Sequence, residues 1–206
     1  TGIEAFVLVS NRLAAADESD DVWIERAEYL LAQVPDVAFG LYECPHPYKR
    51  LVTPKLLSWL AGSGRFYFLK DTCCDAAEIK LRLEATAGTN LKLFNANTAT
   101  LLESYRLGAA GYSGVMSNFH LDLYAWLFRN WQTQPEKAEQ LQNLLTIASI
   151  YEKQPYPLNA KYHMLLEGVA DSIQTRSRSR LELSDLNRTE IRQLHAYWQS
   201  VQSQWS

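Results

Sequence analysis

Gly64-Arg-Phe-Tyr-Phe-Leu-Lys-Asp71 decides how the rest of the chain is read. An aromatic, apolar run opens behind a glycine and ends in a lysine, with an acid directly after it. Bounded by Gly64 and by Thr72-Cys73-Cys74-Asp75, such a run reads as a short buried strand with Lys70 at its C-terminal end. In an α/β barrel that end is the rim where chemistry takes place. Desolvation disfavours an ammonium, so a lysine leaving an apolar strand is a candidate nucleophilic amine. The ordinary value is about 10.4, and titration near neutrality requires a drop worth ~4 kcal/mol. Taken alone, Lys70 is better explained as a lysine carrying its charge past the strand end into water. Its surroundings change that balance.

Downstream, Asp75 to Ala87 has helical periodicity and is closed by Gly88; Leu91-Lys-Leu-Phe94 is a strand, and Thr98 to Leu107 a helix closed by Gly108. Gly111-Tyr-Ser-Gly-Val-Met116 is a glycine-rich strand that backbone or ligand can approach closely, followed by a helix over Leu121 to Asn130. Upstream, Ala5 to Val9 is a buried strand and Ser10 to Asp21 a polar loop. Val22 to Val34 is a helix, and Val37 to Leu41 a strand ending at Tyr42. A proline-rich turn, Cys44 to Tyr48, leads to Thr53-Pro54, an N-cap with proline at the first helical position, and to a helix over Lys55 to Ala61. Strand and helix alternate five times. The fold class is therefore α/β with a parallel sheet, and periodicity alone fits a doubly wound sheet and a barrel equally. Beyond Pro135 the strand signal stops, and helices are expected over Glu136–Lys153, Ala160–Gln174 and about Asn187–Gln202.

Composition bounds the function classes. With 206 residues, 47% hydrophobic and 21% charged, the chain can bury a real core. A net charge of −3 gives no electrostatic reason to expect nucleic acid or an anionic membrane as partner. The one basic cluster, Arg176-Ser-Arg-Ser-Arg180, is short and reads as a solvated loop. Three cysteines, Cys44, Cys73 and Cys74, without metal-type spacing, suggest reduced thiols and a cytoplasmic location.

Several stretches together resemble the dihydrodipicolinate synthase / N-acetylneuraminate lyase family of class I aldolases. Tyr42-Glu-Cys-Pro45 resembles that family's Tyr-Asn-x-Pro turn after barrel strand five, and Leu69-Lys-Asp71 its Ile-Lys-Asp at the end of strand six. Leu107-Gly-Ala-Ala-Gly111, with Gly114 and Asn118, is similar to its Leu-Gly-Ala-x-Gly run into strand eight, and Pro157-Leu-Asn-Ala-Lys161 to the Pro-x-x-x-Lys of its C-terminal helices. The separation of Tyr42 from Lys70 is also that of the family. The resemblance implies a (β/α)8 TIM barrel, of which residues 1–134 would supply strands four to eight, with residues 135–206 as a C-terminal helical extension. It implies Lys70 as the Schiff-base residue for pyruvate or another 2-oxo acid and Tyr42 as the phenol relaying protons. No cofactor or metal is implied, and a homotetramer or dimer is.

Departures from the family pattern shape the expected activity. The Asn after the family Tyr is Glu43, a second acid/base or hydroxyl-binding candidate, with a solvated turn acid as the alternative. The arginine that dihydrodipicolinate synthases use for a dicarboxylate aligns with Pro47, and Lys49 or Arg50 could replace it only if the loop folds back. Asn11-Arg-Leu13 stands in place of Pro-x-Tyr, so lysine biosynthesis is not expected. Asn95 and Asn97 are candidate contacts for hydroxyls, with turn formation as the alternative, and Gly114 is a candidate substrate contact on the strand-eight run. His46 and His120 sit in loops at strand ends; Cys73-Cys74 fit packing better than reactivity; Trp126, Trp131, Trp198 and Trp205 read as helix packing. The family's Gly-[Thr/Ser]-Thr-Gly-Glu loop has no copy here. The expectation is that further residues precede Thr1, since five parallel strands would otherwise leave two apolar edges. The alternative reading is a non-catalytic or truncated barrel homologue that binds or assembles.

Overall fold

The computed structural model describes residues 2–176 and 180–205, so the middle of the Arg176–Arg180 cluster lies outside the described residues. Five strands and four helices alternate first: β1 Ala5–Val9, α1 Asp20–Gln33, β2 Ala38–Tyr42, α2 Pro54–Gly62, β3 Phe66–Asp71, α3 Ala76–Ala85, β4 Lys92–Asn95, α4 Leu101–Arg106 and β5 Gly111–Tyr112. Helices follow: α5 Leu121–Asn130, α6 Pro135–Ala148, α7 Leu158–Leu166 and α8 Asp185–Val201, with 3-10 turns at Val115–Asn118, Ser149–Lys153 and Gln202–Trp205.

Helix starts follow the capping residues. Ser19 accepts from Val22 N on α1, Thr53 from Leu56 N on α2 with Pro54 behind it, and Asp75 from Ala77 N and Glu78 N on α3. Each satisfies donors that the first helical turn leaves unpaired. The strands are parallel and lie in chain order, β1-β2-β3-β4-β5. A doubly wound sheet reverses its strand order at a switch point; this one does not, which removes that alternative. Right-handed crossovers in one direction put the linking helices on one face, and α1–α2, α2–α3 and α3–α4 pack side by side.

The core lies between that helical layer and the sheet. Leu41, Leu69 and Leu93 are register partners and all buried; each contributes roughly 1.5–3 kcal/mol. Trp23 of α1 and Trp59 of α2 meet edge-on at 6.0 Å, and Trp23 Nε1 donates to Ser10 O at 2.7 Å. The opposite face carries the alternate residues Gly40, Tyr42, Phe68, Lys70, Phe94 and Gly111. Here aromatic rings lie over glycines: a Cβ on Gly40 would come within 2.9 Å of Phe68 Cδ1, and one on Gly111 within 2.7 Å of Phe94 Cε1.

Several elements are shorter than the sequence predicts, among them the fifth strand, α7 and α6. The fifth strand, expected to reach Met116, ends at Tyr112 because β4 stops at Asn95, whose side chain accepts Asn97 N and turns the chain. One more ladder bond, Ser113 N to Asn95 O, closes the pairing. Helix α7, expected to reach Gln174, stops at Leu166: Gly168 has φ +72°, and Val169 N and Ala170 N fold back onto Met164 O. The helix expected over Glu136–Lys153 becomes 3-10 after Ala148.

The chain forms two compact units, Thr1–Ser113 and Gly114–Ser206. The division at residue 134 groups α5 with the strands by order, whereas in packing α5 lies on α6. The second unit has its own apolar cluster, Leu158, Tyr162, Leu183 and Ile191. Trp126 meets Trp205 edge-on at 5.3 Å, and both Trp126 and Trp198 are buried between helices.

Candidate active site

Tyr42 and Lys70 meet because parallel strands place register partners on one face. Tyr42 ends β2, Lys70 is the penultimate residue of β3, and the two are paired, with Phe94 of β4 next in the row. Lys70 Nζ lies 4.3 Å from the centroid of the Tyr42 ring. Both residues are half-buried. One pleat back on the same face is Phe68, whose ring is 4.8 Å from that of Phe94. The amine and phenol therefore stand together beside an apolar aromatic pair, an arrangement that can serve amine attack on a carbonyl with a phenol to move protons.

Glu43 and Asp71 directly follow these two residues, and strand alternation sends their side chains to the other face. There Arg82 of α3 meets both: Nη1 donates to Glu43 Oε1 at 2.7 Å and to Asp71 Oδ2 at 2.6 Å, and Nη2 to Val52 O at 3.0 Å. Glu43 Oε1 also accepts Val52 N and Oε2 accepts Thr72 N, each at 2.7 Å. Asp71 Oδ1 accepts Cys73 N at 2.9 Å. Both carboxylates are fully buried, so the expectation that Glu43 touches substrate is corrected. It ties the two strand ends to the helical layer. Burial pushes the Glu43 carboxyl up, against the opposing charge of Arg82, while those two acids keep the Arg82 guanidinium charged despite its burial. Burial and the neighbouring Asp71 push the Cys73 thiol up to about 12, which leaves it unreactive and fits packing.

The remaining candidates separate in the same way. Asn95 pairs in register with Asp71 and is buried; its Nδ2 donates to Thr100 Oγ1 at 2.9 Å. Asn97 Oδ1 accepts Thr100 N at 3.1 Å. The two asparagines build the turn after β4, and Asn95 lies on the face opposite Lys70. Lys49 Nζ donates to Thr72 O at 2.6 Å, and Arg50 pairs with Asp20 at 2.8 Å and with the carbonyls of Ala15 and Glu18. Both candidate replacements for the arginine at Pro47 are thus held by protein acceptors. Asn11 Nδ2 donates to the carbonyls of Cys44, His46 and Tyr48, pinning the turn after Tyr42. His46 is exposed, whereas His120, in the loop ahead of α5, is buried in the second unit. Gly114 opens that unit, ahead of the turn at Val115.

Sequence reasoning missed Arg82. Its signal was its place on the Ile79 face of α3, where an apolar residue belongs and a charge requires partners.

Comparison with known proteins supplies the context. The sequence model of the Dihydrodipicolinate synthetase family matches residues 29–196. No curated protein matches the chain. Among solved structures it is similar to a prophage protein of the dihydrodipicolinic acid synthase family from E. coli K12, in complex with pyruvate, at 18% identity and a TM-score of 0.82 over 96% of this chain and 67% of that one. It is likewise similar to the 4-hydroxy-tetrahydrodipicolinate synthase of Methylacidiphilum fumariolicum SolV, at 19% identity and 0.80 over 100% and 69%. A monomeric dihydrodipicolinate synthase variant aligns at 16% identity and 0.81, over 94% and 64%. At such identities the likeness is one of fold, and the chain spans about two thirds of the length of these structures.

Proposed function

The chain belongs to the dihydrodipicolinate synthetase family, and from that premise we propose that Lys70 forms a Schiff base with pyruvate or another 2-oxo acid in an aldol cleavage or condensation. The amine adds to the 2-oxo carbon and water leaves as the iminium forms. The iminium is a better electron sink than the ketone, so the adjacent carbon loses a proton to become an enamine. Tyr42 is the acid and base for these transfers. The observation that carries this reading is the contact of Lys70 Nζ with the Tyr42 ring at paired strand ends.

Dihydrodipicolinate synthesis itself is not proposed, because Pro47 stands at the arginine position and Lys49 and Arg50 are bound elsewhere. The five strands are proposed to be strands four to eight of a (β/α)8 barrel, with residues 1–134 as its barrel part and 135–206 as the helical extension. Gly114 is kept as a proposed substrate contact, and a cytoplasmic homo-oligomer, dimer or tetramer, as the proposed setting. One observation favours a second reading, a non-catalytic homologue that binds or assembles: Glu43, Asn95 and Asn97 all direct their side chains to the protein's own framework.

Exchange of the pyruvate methyl protons in D2O, followed by NMR, separates the two. The full chain is expected to catalyse exchange, Lys70→Ala to abolish it, and Tyr42→Phe to slow it about 10²–10⁴-fold. Wild-type exchange no faster than that of Lys70→Ala would leave the binding module standing.

A further inference from the structure

The second unit gathers three histidines from three elements: His120 at the N-cap of α5, His163 on α7 and His195 on α8. The His163 ring stands 5.3 Å from that of His120 and 5.2 Å from that of His195, each nearly perpendicular. Phe119 and Trp198 pack around them, at 5.1 Å from His163 and 5.8 Å from His120. His163 is fully buried, yet neither of its ring nitrogens has a hydrogen-bond partner. Nδ1 of His120 and Nδ1 of His195 are buried and unpaired as well. A folded protein satisfies nearly all such atoms, because each one left bare forfeits its hydration. One nitrogen each of His163 and His195 can turn to a shared partner.

Glu167, the C-cap of α7 and one turn beyond His163, completes the donor set. Its Oε1 is 3.7 Å from His163 Nδ1, beyond hydrogen-bonding range. One ligand atom each from His163, Glu167 and His195 lies within 4.8 Å of the others. We propose that His163, His195 and Glu167 bind a divalent transition metal of the zinc class, clamping α7 to α8. Two imidazoles and a carboxylate select zinc-like ions over magnesium or calcium. Ligand atoms around a tetrahedral ion stand ~3.4 Å apart, so side-chain rotations of about 1 Å close the set. A water molecule would complete the fourth position. Glu167 also lines an open cleft of about 490 Å³ together with Asp122 and Trp198.

The test is titration of the metal-free full chain with CoCl2 and then ZnCl2. One cobalt ion per chain is expected, with the intense visible bands of four-coordinate cobalt, displaced by zinc. Zinc at about a hundredfold excess over Kd raises Tm by about 5–10 °C. His195→Ala and Glu167→Gln, at partly exposed positions, keep the far-UV circular dichroism of the fold but lose both the bands and the rise in Tm. A spectrum of hexa-aqua cobalt, bands that persist in both variants, or several weakly held ions would overturn the assignment and leave the cluster as aromatic packing.

Discussion

Lys70 and Tyr42 come together through strand register, and the same register sends the residues after them away. Glu43 and Asp71 are each one residue past a side chain on the Lys70 face, so they face the helices, where Arg82 takes both charges. That parity was available in the sequence: once Lys70 is placed on one face, Asp71 belongs to the other. Arg82 was harder to read: its i,i+4 partner Glu78 is visible in the spacing, but its two buried partners lie 39 and 11 residues away and no spacing links them. Removing the guanidinium strands two buried carboxylates. Arg82→Leu is therefore expected to cost about 3–5 kcal/mol of stability, read as a lowered midpoint in urea unfolding. A loss below about 1 kcal/mol, the range of a surface ion pair, would show that the cluster is solvated.

At the scale of the element, the sites are set by where strands end and which rings cover them. The order of strands and helices was legible from hydrophobic period and caps: Thr53-Pro54 and Asp75 start their helices where the pattern placed them. The ends that failed depended on neighbours. The fifth strand loses its ladder where β4 turns at Asn95, and α7 ends at Leu166, ahead of the positive-φ Gly168, before its apolar pattern does. Gly40 shows the same dependence on tertiary packing, since its bare Cα makes room for Phe68 on the next strand. Gly40→Ala should cost about 1–3 kcal/mol through overpacking and shift the Phe68 ring signals in NMR. Unchanged stability with unchanged ring shifts would mean the two strands do not pack as described.

For the whole molecule, the sequential strand order chooses the barrel-type winding that periodicity alone left open. Among the described residues no helix is long and apolar enough to cross a membrane. β1 and β5 are the outer strands of the described sheet, and Phe6 and Val7 on β1 are half exposed. The family was legible because its motifs sit at strand ends, where chemistry constrains residue type; the histidine cluster was not, because His120, His163 and His195 are brought together only by helix packing. The central claim is that the Lys70 amine is the nucleophile. Incubation of the full chain with pyruvate and borohydride, followed by peptide mass spectrometry, tests it directly. A reduced pyruvate adduct on the peptide carrying Lys70, missing in Lys70→Arg, is the predicted result. No adduct, or one on a different lysine, would contradict the account.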